Sequence, residues 1–162
     1  MKVLVFSDSH SALSFMRNAV CSLKPDAIIH LGDHYCDGET IAFENPHIRF
    51  YQVAGNCDAF TAPGKPLMLC LPVCGALFYM VHGHQQGVKH TQGKLINEAR
   101  AMGAQAALYG HTHEAHCHRE DDGLWVINPG SCGGYGGTVA LLTVEDGVLQ
   151  SVRILTGEAF TW

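Results

Sequence analysis

The sequence predicts an α/β fold in which short strands, buried on both faces, alternate with amphipathic helices. In the first two thirds of the 162-residue chain, apolar runs of four to six residues alternate with segments of helical periodicity. After residue 120 the pattern changes to three strand-like runs separated by Gly-rich or Asp-Gly turns, which adds α+β character. Because no internal repeat or linker interrupts the pattern, we expect residues 1–162 to form a single domain of packed sheets covered by helices.

The N-terminal segment predicts two strands joined by a helix. The runs KVLVF at residues 2–6 and DAIIHL at residues 26–31 are typical of strands buried on both faces. Between them, Ser11 is placed to cap a helix, and Pro25 lies just past its expected end. The buried face of this helix is predicted to carry Leu13, Met16, Val20 and Leu23.

The middle of the chain predicts a second helix, over residues 91–102, and more strands. Thr91 is a candidate cap for this helix, with Leu95, Ala99 and Met102 on its buried side. In the last strands, the Asp146-Gly147 pair is typical of a β-hairpin turn. The strand-like runs are IRFYQV, ALFYMV and QAALYG before residue 120, and GLWVIN, TVALLTV and VLQSVRIL after it.

Composition and charge narrow the possible functions. The formal net charge of -5 argues against stable binding of a nucleic-acid duplex, which depends on Lys and Arg. The seven cysteines are odd in number and form no C-x-x-C pair, which indicates reduced thiols. The first apolar run is too short for a signal peptide or a membrane span. We therefore expect a cytoplasmic chain without a membrane partner, and we leave a homo-oligomer open.

Five predicted strands end in residue types that bind metals. Because ligands bind outside the carboxyl ends of strands in open α/β sheets, we expect these five ends to meet at one edge. His111 and His113 are two residues apart, as are Asp8 and His10, and this spacing points both side chains of a pair the same way from extended chain. The candidate ligands are Asp8, His10, Asp33, Asn56, His82, His111 and His113.

These ligand types predict a particular chemistry. Seven candidates are too many for one tetrahedral zinc ion and suit two divalent ions that share a bridging carboxylate. Nitrogen and oxygen donors fit transition metals better than Mg²⁺ or Ca²⁺, so Mn²⁺ is our first candidate, with Ni, Co, Fe and Zn left open. Paired metals acidify a bound water and hold both the attacking and the leaving oxygen of a phosphoryl group. The pattern therefore predicts metal-assisted hydrolysis of a small phosphoester substrate by direct attack of hydroxide.

The order of five motifs resembles that of the calcineurin-like metallophosphoesterase superfamily, and is most similar to its small bacterial and archaeal phosphodiesterase branch. The motifs are DSH at 8–10, GD at 32–33, GNCD at 55–58, HGH at 82–84 and GHTH at 110–113. The resemblance implies a four-layer αββα sandwich, with two mixed β-sheets packed face to face and flanked by helices. It implies a phosphodiesterase that uses a metal-bridging hydroxide. The alternatives are a phosphomonoesterase or nucleotidase at the same site, and a non-catalytic metal-binding scaffold similar to the retromer subunit of this fold.

The resemblance also implies roles for single residues. It assigns Asp8, His10 and His113 to the first metal, Asn56, His82 and His111 to the second, and Asp33 to both. The predicted catalytic residues are Asp33, Asn56, Asp58 and His82, and we expect Asp58 to accept a hydrogen bond that orients a ligand or a water.

The chain departs from the family at Cys57, where many members carry a His that is credited with protonating the leaving group. A thiol is a poorer acid than an imidazolium, so we expect aryl leaving groups to be favoured over alkoxides. Whether Cys57, His34 or His84 assists the leaving group stays open.

Several other polar or Gly-rich features have no assigned function at this stage. The loop at residues 128–137 is either a phosphate cradle or a structural turn that brings Ser131 near the metals. The His116 to His118 stretch is expected to be polar surface, and Cys70 and Cys74 are expected in the core. For His30, His47 and His90 we expect no role.

Overall fold

The computed structural model describes residues 1–134 and 136–160. Within these residues ten strands form two five-stranded sheets, and three α-helices accompany them. The helices are α1 (Leu13–Leu23), α2 (Tyr35–Glu44) and α3 (Gly93–Ala101). The strands are β1 (Lys2–Phe6), β2 (Ala27–His30), β3 (Arg49–Gln52), β4 (Met68–Val73), β5 (Ala76–Val81), β6 (Ala106–Leu108), β7 (His116–Arg119), β8 (Trp125–Asn128), β9 (Thr138–Glu145) and β10 (Val148–Thr156).

Both sheets are mixed. The first has the order β10-β9-β1-β2-β3, and the second has the order β4-β5-β6-β8-β7. Each contains three parallel strands, β1 to β3 in the first sheet and β5, β6 and β8 in the second. Antiparallel strands complete each sheet. The structure therefore presents two sets of parallel carboxyl ends, one from each sheet.

Alternating side chains along the central strands define four layers. On β1, Val5 belongs to a core cluster shared by both sheets, whereas Leu4 packs in a cluster with α1 and α2. On β5, Phe78 belongs to the shared cluster, whereas Tyr79 packs with Leu95 of α3. Because side chains alternate between the two faces of a strand, each sheet contributes one face to the common core. The four-layer αββα sandwich is confirmed.

The predicted strands and both predicted helices are present, with three differences at the helix ends. The first residue before α1 is Ala12, and Ser11 has a left-handed backbone that does not suit a cap. Met102 follows the last residue of α3 and is 46% exposed, because the chain turns away at Gly103. Thr91 does accept a hydrogen bond from the Gly93 N–H, although it lies one residue before the helix cap.

Three elements, α2, β4 and β7, are not predicted by the sequence pattern. Helix α2 buries only a few residues, and a Cβ at its Gly38 would collide with the Gln52 side chain. Strands β4 and β7 are the two edges of the second sheet and are partly exposed. All seven cysteines are free, with Cys74 and Cys132 buried. Among the described residues, no helix has both the length and the apolar character needed to cross a bilayer.

Candidate functional site

The candidate ligands meet where the carboxyl ends of the two sheets face each other. His113, after β6, places Nε2 3.0 Å from Oδ1 of Asp8, after β1. His82, after β5, places Nε2 3.5 Å from Oδ2 of Asp33, after β2. The expectation of one shared sheet edge is therefore wrong. The ends belong to two sheets, because the face-to-face packing brings both sets of parallel strands to the same end of the molecule.

Four of the candidates form a compact group. One ligand atom from each of Asp8, His10, Asp33 and His113 lies within 4.8 Å of all the others. The two carboxylates are buried and the two imidazoles are exposed. His82 adjoins this group, since its Nε2 also lies 3.8 Å from Asp8 Oδ1. This donor set of nitrogen and oxygen atoms suits a divalent transition metal.

Two buried atoms at the centre of this group lack a hydrogen-bond partner among the described residues. They are Asp8 Oδ1 and His82 Nε2. His82 Nδ1 lies 2.8 Å from the Leu31 carbonyl oxygen and must donate to it, so Nε2 is the ring nitrogen that faces the carboxylates. Although His113 is close to Asp8 Oδ1, that contact lacks hydrogen-bond geometry. Unpaired buried acceptors are costly, and a cation between them would remove the cost, so these residues fit a metal ion.

His111 and Asn56 lie at the periphery of the compact group. The His111 ring centroid is 5.1 Å from that of His82, and its backbone N–H donates to Asp8 Oδ2. The Asn56 side chain is exposed, and the next residue, Cys57, donates its backbone N–H to Asp33 Oδ1. The division of ligands between two metals stays a prediction.

The backbone of five candidate ligands is left-handed. The expectation that each histidine or Asp-His pair projects from extended chain is wrong, since the chain turns sharply at these residues. Side chains two positions apart converge because of this turn, and such strained conformations are held in place by their surroundings. The φ angles are 51° at Asp8, 42° at His10, 58° at Asp33, 68° at His111 and 63° at His113.

The buried Asp58 carboxylate organises the loops that carry Asp33 and Asn56. It accepts hydrogen bonds from the backbone N–H groups of Asp33, Tyr35 and Gly55, at 2.7–2.9 Å. Because a Cβ at Gly55 would collide with the Asp33 carboxylate, only glycine fits there. Asp58 therefore fixes the backbone of a candidate ligand, and its predicted part in catalysis is untested.

A buried hydrogen-bond chain supports the loop that carries His10. The Gly32 N–H donates to His30 Nδ1, so His30 Nε2 donates to Ser9 Oγ, which in turn donates to Asp37 Oδ2 at 2.7 Å. Asp37 also accepts the backbone N–H of Ser11 at 2.8 Å. Burial lowers the pKa of His30 to about 4 and so keeps it neutral. His30 was expected to have no role and Asp37 was missed, since a weakly patterned helix gives no sign of such a contact.

The first part of the Gly-rich loop after β8 is hydrogen-bonded to the loops that follow β1 and β6. Asn128 Nδ2 donates to the Gly110 carbonyl and to Thr112 Oγ1, next to His111 and His113. Ser131 Oγ donates to the Asp8 carbonyl at 2.8 Å. The N–H groups of residues 130, 132 and 133 are all engaged within the protein. These contacts favour the structural turn over the phosphate cradle, and Tyr135 lies outside the described residues.

The environment of the site shifts the ionisation of several groups. Burial opposes the charge of Asp33, but nearby His82 and the hydrogen bond from Cys57 hold its pKa below the usual range. Burial lowers the pKa of His111 and of His84, with His82 as the next cause. Burial raises the pKa of the Cys57 thiol to about 11, and the neighbouring carboxylates add to this.

Two further histidines, His34 and His84, border the candidate ligands, and a second pair lies on a sheet edge. The His34 ring centroid is 4.9 Å from that of His10, and the His84 ring centroid is 5.5 Å from that of His82. Both histidines therefore lie next to a candidate ligand. His116 and His118 are hydrogen-bonded to each other on the edge strand β7, as expected for polar surface.

Comparison with known proteins gives consistent results. The sequence model of the calcineurin-like phosphoesterase superfamily domain matches residues 1–147. A probable metallophosphoesterase of Mycoplasma pneumoniae is 33% identical over 133 residues, which cover 80% of this chain and 78% of that protein. A phosphodiesterase of Methanocaldococcus jannaschii is 29% identical over 151 residues, which cover 83% and 86% of the two chains.

Solved structures with the same fold are less similar in sequence. A conserved protein of Streptococcus pneumoniae, described as a predicted phosphoesterase, has a TM-score of 0.76 and 24% identity, with coverage of 97% of this chain and 90% of that one. Vps29 of Entamoeba histolytica, complexed with Zn²⁺, has a TM-score of 0.71 and 19% identity, with coverage of 97% and 99%. At these low sequence identities, the likeness shows a shared fold and nothing more.

We expect Asp37→Ala to weaken metal binding without removing any candidate ligand. The substitution removes the acceptor of the Ser9 hydroxyl and of the Ser11 N–H on both sides of His10, and loss of such supporting contacts costs roughly 10–100-fold in metal affinity. Calorimetric titration of Mn²⁺ into chelator-treated protein measures this change. Asp37→Asn keeps an acceptor oxygen and should lose much less, and Glu39→Ala on the same helix is the control. Equal affinity in Asp37→Ala and Glu39→Ala would refute the supporting role.

The buried neutral His30 predicts a loss of stability in mild acid. Its pKa is about 4 in the folded chain against 6.5 in the unfolded chain, so between these values the unfolded state binds more protons. The free energy of unfolding should therefore fall as the pH drops from 6.5 to 4, by about 3 kcal/mol from this residue. Urea unfolding of the metal-free protein across this range measures the fall. In His30→Gln the fall should be smaller by that amount, and parallel curves for the two proteins would contradict the assignment.

Proposed function

The chain belongs to the calcineurin-like phosphoesterase superfamily, and we propose that it hydrolyses small phosphodiesters at a centre of two divalent metal ions. The observation that carries the proposal is the pair of buried, unpartnered atoms Asp8 Oδ1 and His82 Nε2, which face each other where the two sheets meet. A site built only for stability would pair these atoms within the protein. Here neither atom has a hydrogen bond, and the chain belongs to a family of phosphoesterases.

The geometry supports a particular division of the ligands. Asp33 belongs to the compact group with Asp8, His10 and His113, and its Oδ2 also lies 3.5 Å from His82 Nε2. A carboxylate within reach of both sets of ligands suits a bridge between two ions. We propose that Asp8, His10 and His113 hold one ion, that Asn56, His82 and His111 hold the other, and that Asp33 bridges them. Mn²⁺ is the first candidate, with Ni, Co, Fe and Zn as alternatives.

Bound ions would supply a water of lowered pKa and positive charge for the phosphoryl oxygens. The protein holds the candidate ligands in position. Asp58 fixes the backbone of Asp33, and the Leu31 carbonyl fixes the orientation of the His82 ring. Exposed His10 and His113 form the solvent side of the compact group, so substrate can approach from that side. The predicted catalytic set of Asp33, Asn56, Asp58 and His82 thus combines ligands with a positioning residue.

A phosphodiester is the preferred substrate class, and a phosphomonoester is the alternative. The M. jannaschii relative is named a phosphodiesterase and matches over most of both chains. The segment between β3 and β4 spans only residues 53–67, too short for a cap domain that would enclose a large substrate. We also propose that residues 1–162 act as one domain and, from the seven free thiols, that the protein works in the cytoplasm.

A metal-binding scaffold without catalysis is the second candidate function. It is favoured by the likeness to Vps29, including a form complexed with Zn²⁺. All seven candidate ligands are present in this chain, however, and a scaffold has no need of the unpaired buried acceptors. We therefore rank hydrolysis first.

The proposal predicts metal-dependent turnover that requires the central ligands. Chelator-treated protein would be loaded separately with Mn²⁺, Ni²⁺, Co²⁺, Zn²⁺ or Mg²⁺ and assayed with bis(p-nitrophenyl) phosphate and p-nitrophenyl phosphate. We expect faster cleavage of the diester. We also expect a loss of roughly 10²-fold or more in kcat in Asp33→Ala and His82→Ala, since each removes charge or a ligand at the reacting centre. Elemental analysis should show reduced metal content in both variants.

His47→Ala is the matched control for that experiment, because His47 is exposed and lies outside the site. Its turnover and metal content should equal those of the wild type. If the protein holds two ions per chain and cleaves neither ester, the hydrolytic proposal is refuted and the scaffold function is favoured.

The presence of Cys57 predicts a strong preference for good leaving groups. A thiol is a weak proton donor, so kcat/KM should fall steeply along a series of diesters from aryl to alkyl leaving groups. Cys57→His should raise the rates of the poorest leaving groups by roughly 10²-fold, the usual contribution of a general acid. Cys21→His, at another exposed cysteine, is the control. Rates independent of leaving-group pKa, while the chemical step is rate-limiting, would show that another group protonates the leaving oxygen.

A further inference from the structure

A pair of histidines outside the candidate metal centre lies on β7, the edge strand of the second sheet. His116 and His118 are two residues apart in this strand, so their side chains lie on the same face. The two rings are close together, with His116 Nε2 2.8 Å from His118 Nδ1. Neither residue belongs to the compact group at the centre. The pair is therefore a separate cluster of metal-binding side chains.

The distance between these two nitrogens suits the chelation of one metal ion. Two nitrogens bound to an ion at right angles, each at about 2.1 Å, lie about 3.0 Å apart. The observed 2.8 Å between His116 Nε2 and His118 Nδ1 is close to this value. A small rotation of the two rings would therefore direct both nitrogens at the same ion.

Glu120 determines which nitrogen of His118 faces His116. Its Oε1 lies 2.9 Å from His118 Nε2. Because an ionised carboxylate only accepts hydrogen bonds, Nε2 carries the proton, and Nδ1 is the acceptor in the neutral imidazole. In the metal-free chain His116 Nε2 donates to this acceptor. An ion takes the place of that hydrogen bond when His116 carries its proton on Nδ1 instead, which its exposure to solvent allows.

Glu120 is itself held in position by α3. Arg100 Nη2 donates to Glu120 Oε2 at 2.9 Å, and Arg100 Nε donates to Asp122 Oδ2 at 2.6 Å. Histidines that bind metals commonly donate their other ring N–H to a carboxylate, which fixes the orientation of the ring. The chain from Arg100 through Glu120 to His118 has this arrangement before any ion is bound.

We propose that His116 and His118 chelate one divalent transition-metal ion at the edge of the second sheet, in addition to the ions proposed for the centre. Two imidazole ligands suit Ni²⁺, Cu²⁺ or Zn²⁺ and do not suit Mg²⁺ or Ca²⁺. His116 is exposed and the side chain of His118 is 33% exposed, so water can fill the other coordination positions. The proposal goes beyond the proposed function and does not depend on it.

Equilibrium dialysis against a fixed concentration of free Ni²⁺ tests the proposal by counting the ions bound to each chain. Wild-type protein should hold one more Ni²⁺ per chain than His116→Gln and one more than His118→Gln. Because one imidazole alone cannot chelate, either substitution should remove the same ion. His47→Gln is the control, since His47 is exposed and lies outside both sites. It should hold as much Ni²⁺ as the wild type.

The central ligands are unchanged in all of these proteins, so the difference in ion count reports on the edge pair alone. Equal counts in the wild type and both histidine variants would overturn the proposal. Loss of the ion in only one of the two variants would also overturn it, because that result would show binding by a single imidazole. Both results can be told apart from failure of the proposed hydrolysis, which is measured separately with ester substrates.

Glu120→Ala tests the orienting contact while keeping both imidazoles. Loss of such a contact should weaken Ni²⁺ binding at the edge pair by roughly 10–100-fold. Asp121→Ala is the matched control, because Asp121 is the exposed neighbouring carboxylate. A series of dialysis experiments at increasing free Ni²⁺ measures both affinities. Equal affinities in Glu120→Ala and Asp121→Ala would refute the orienting role of Glu120.

Discussion

The burial of one carboxylate, that of Asp8, is the constraint on which the rest of the site depends. It is fully excluded from solvent at the end of β1, in the middle of the molecule. Its Oδ2 is satisfied by the Ser7 hydroxyl and the His111 N–H, but Oδ1 has no hydrogen-bond partner. A buried charge with an unpaired oxygen costs several kcal/mol unless a positive charge compensates it. The surrounding imidazole nitrogens are placed to bind a metal cation that would supply this positive charge.

The same residue ties together the loops that build the site. The Asp8 backbone N–H donates to the Gly32 carbonyl after β2, and its carbonyl accepts the Ser131 hydroxyl after β8. Its side chain accepts from His111 after β6. A Cβ at Gly110 would strike the Ser7 and Asp8 side chains, so the β6 loop can approach only with glycine there. Loops from both sheets are thereby hydrogen-bonded to one residue, and such tertiary contacts help hold the left-handed backbone of Asp8 and His111.

The sequence was sufficient to predict the central strands, because strands buried on both faces leave continuous apolar runs. Four of the seven residues proposed as ligands, Asp8, His10, Asp33 and His113, do form a compact group, but the contacts that support them could not be predicted. Helix α2 left no such pattern, so Asp37 could not be connected with Ser9 and Ser11. That connection joins residues more than twenty positions apart. The left-handed turns were also missed, because tertiary contacts rather than local propensity decide them. Edge strand β4 was missed although it is apolar, because its run contains Pro72 and continues almost without a break into β5. Edge strand β7 was missed because it has no apolar run.

The candidate metal ligands differ in burial, and the exposed ones define the side of the site that faces solvent. Asp8, Asp33 and His82 are buried and fixed by hydrogen bonds before anything binds, whereas His10 and His113 face solvent. Fixed inner donors remove the need to reorganise on metal binding, and exposed outer donors leave the entry side open. Asn56 is also exposed, and it belongs to the lining of a cavity that includes Leu67 and Lys65. The candidate site therefore has buried, hydrogen-bonded donors on one side and exposed imidazoles on the other, so an ion held by the inner donors would remain open to solvent.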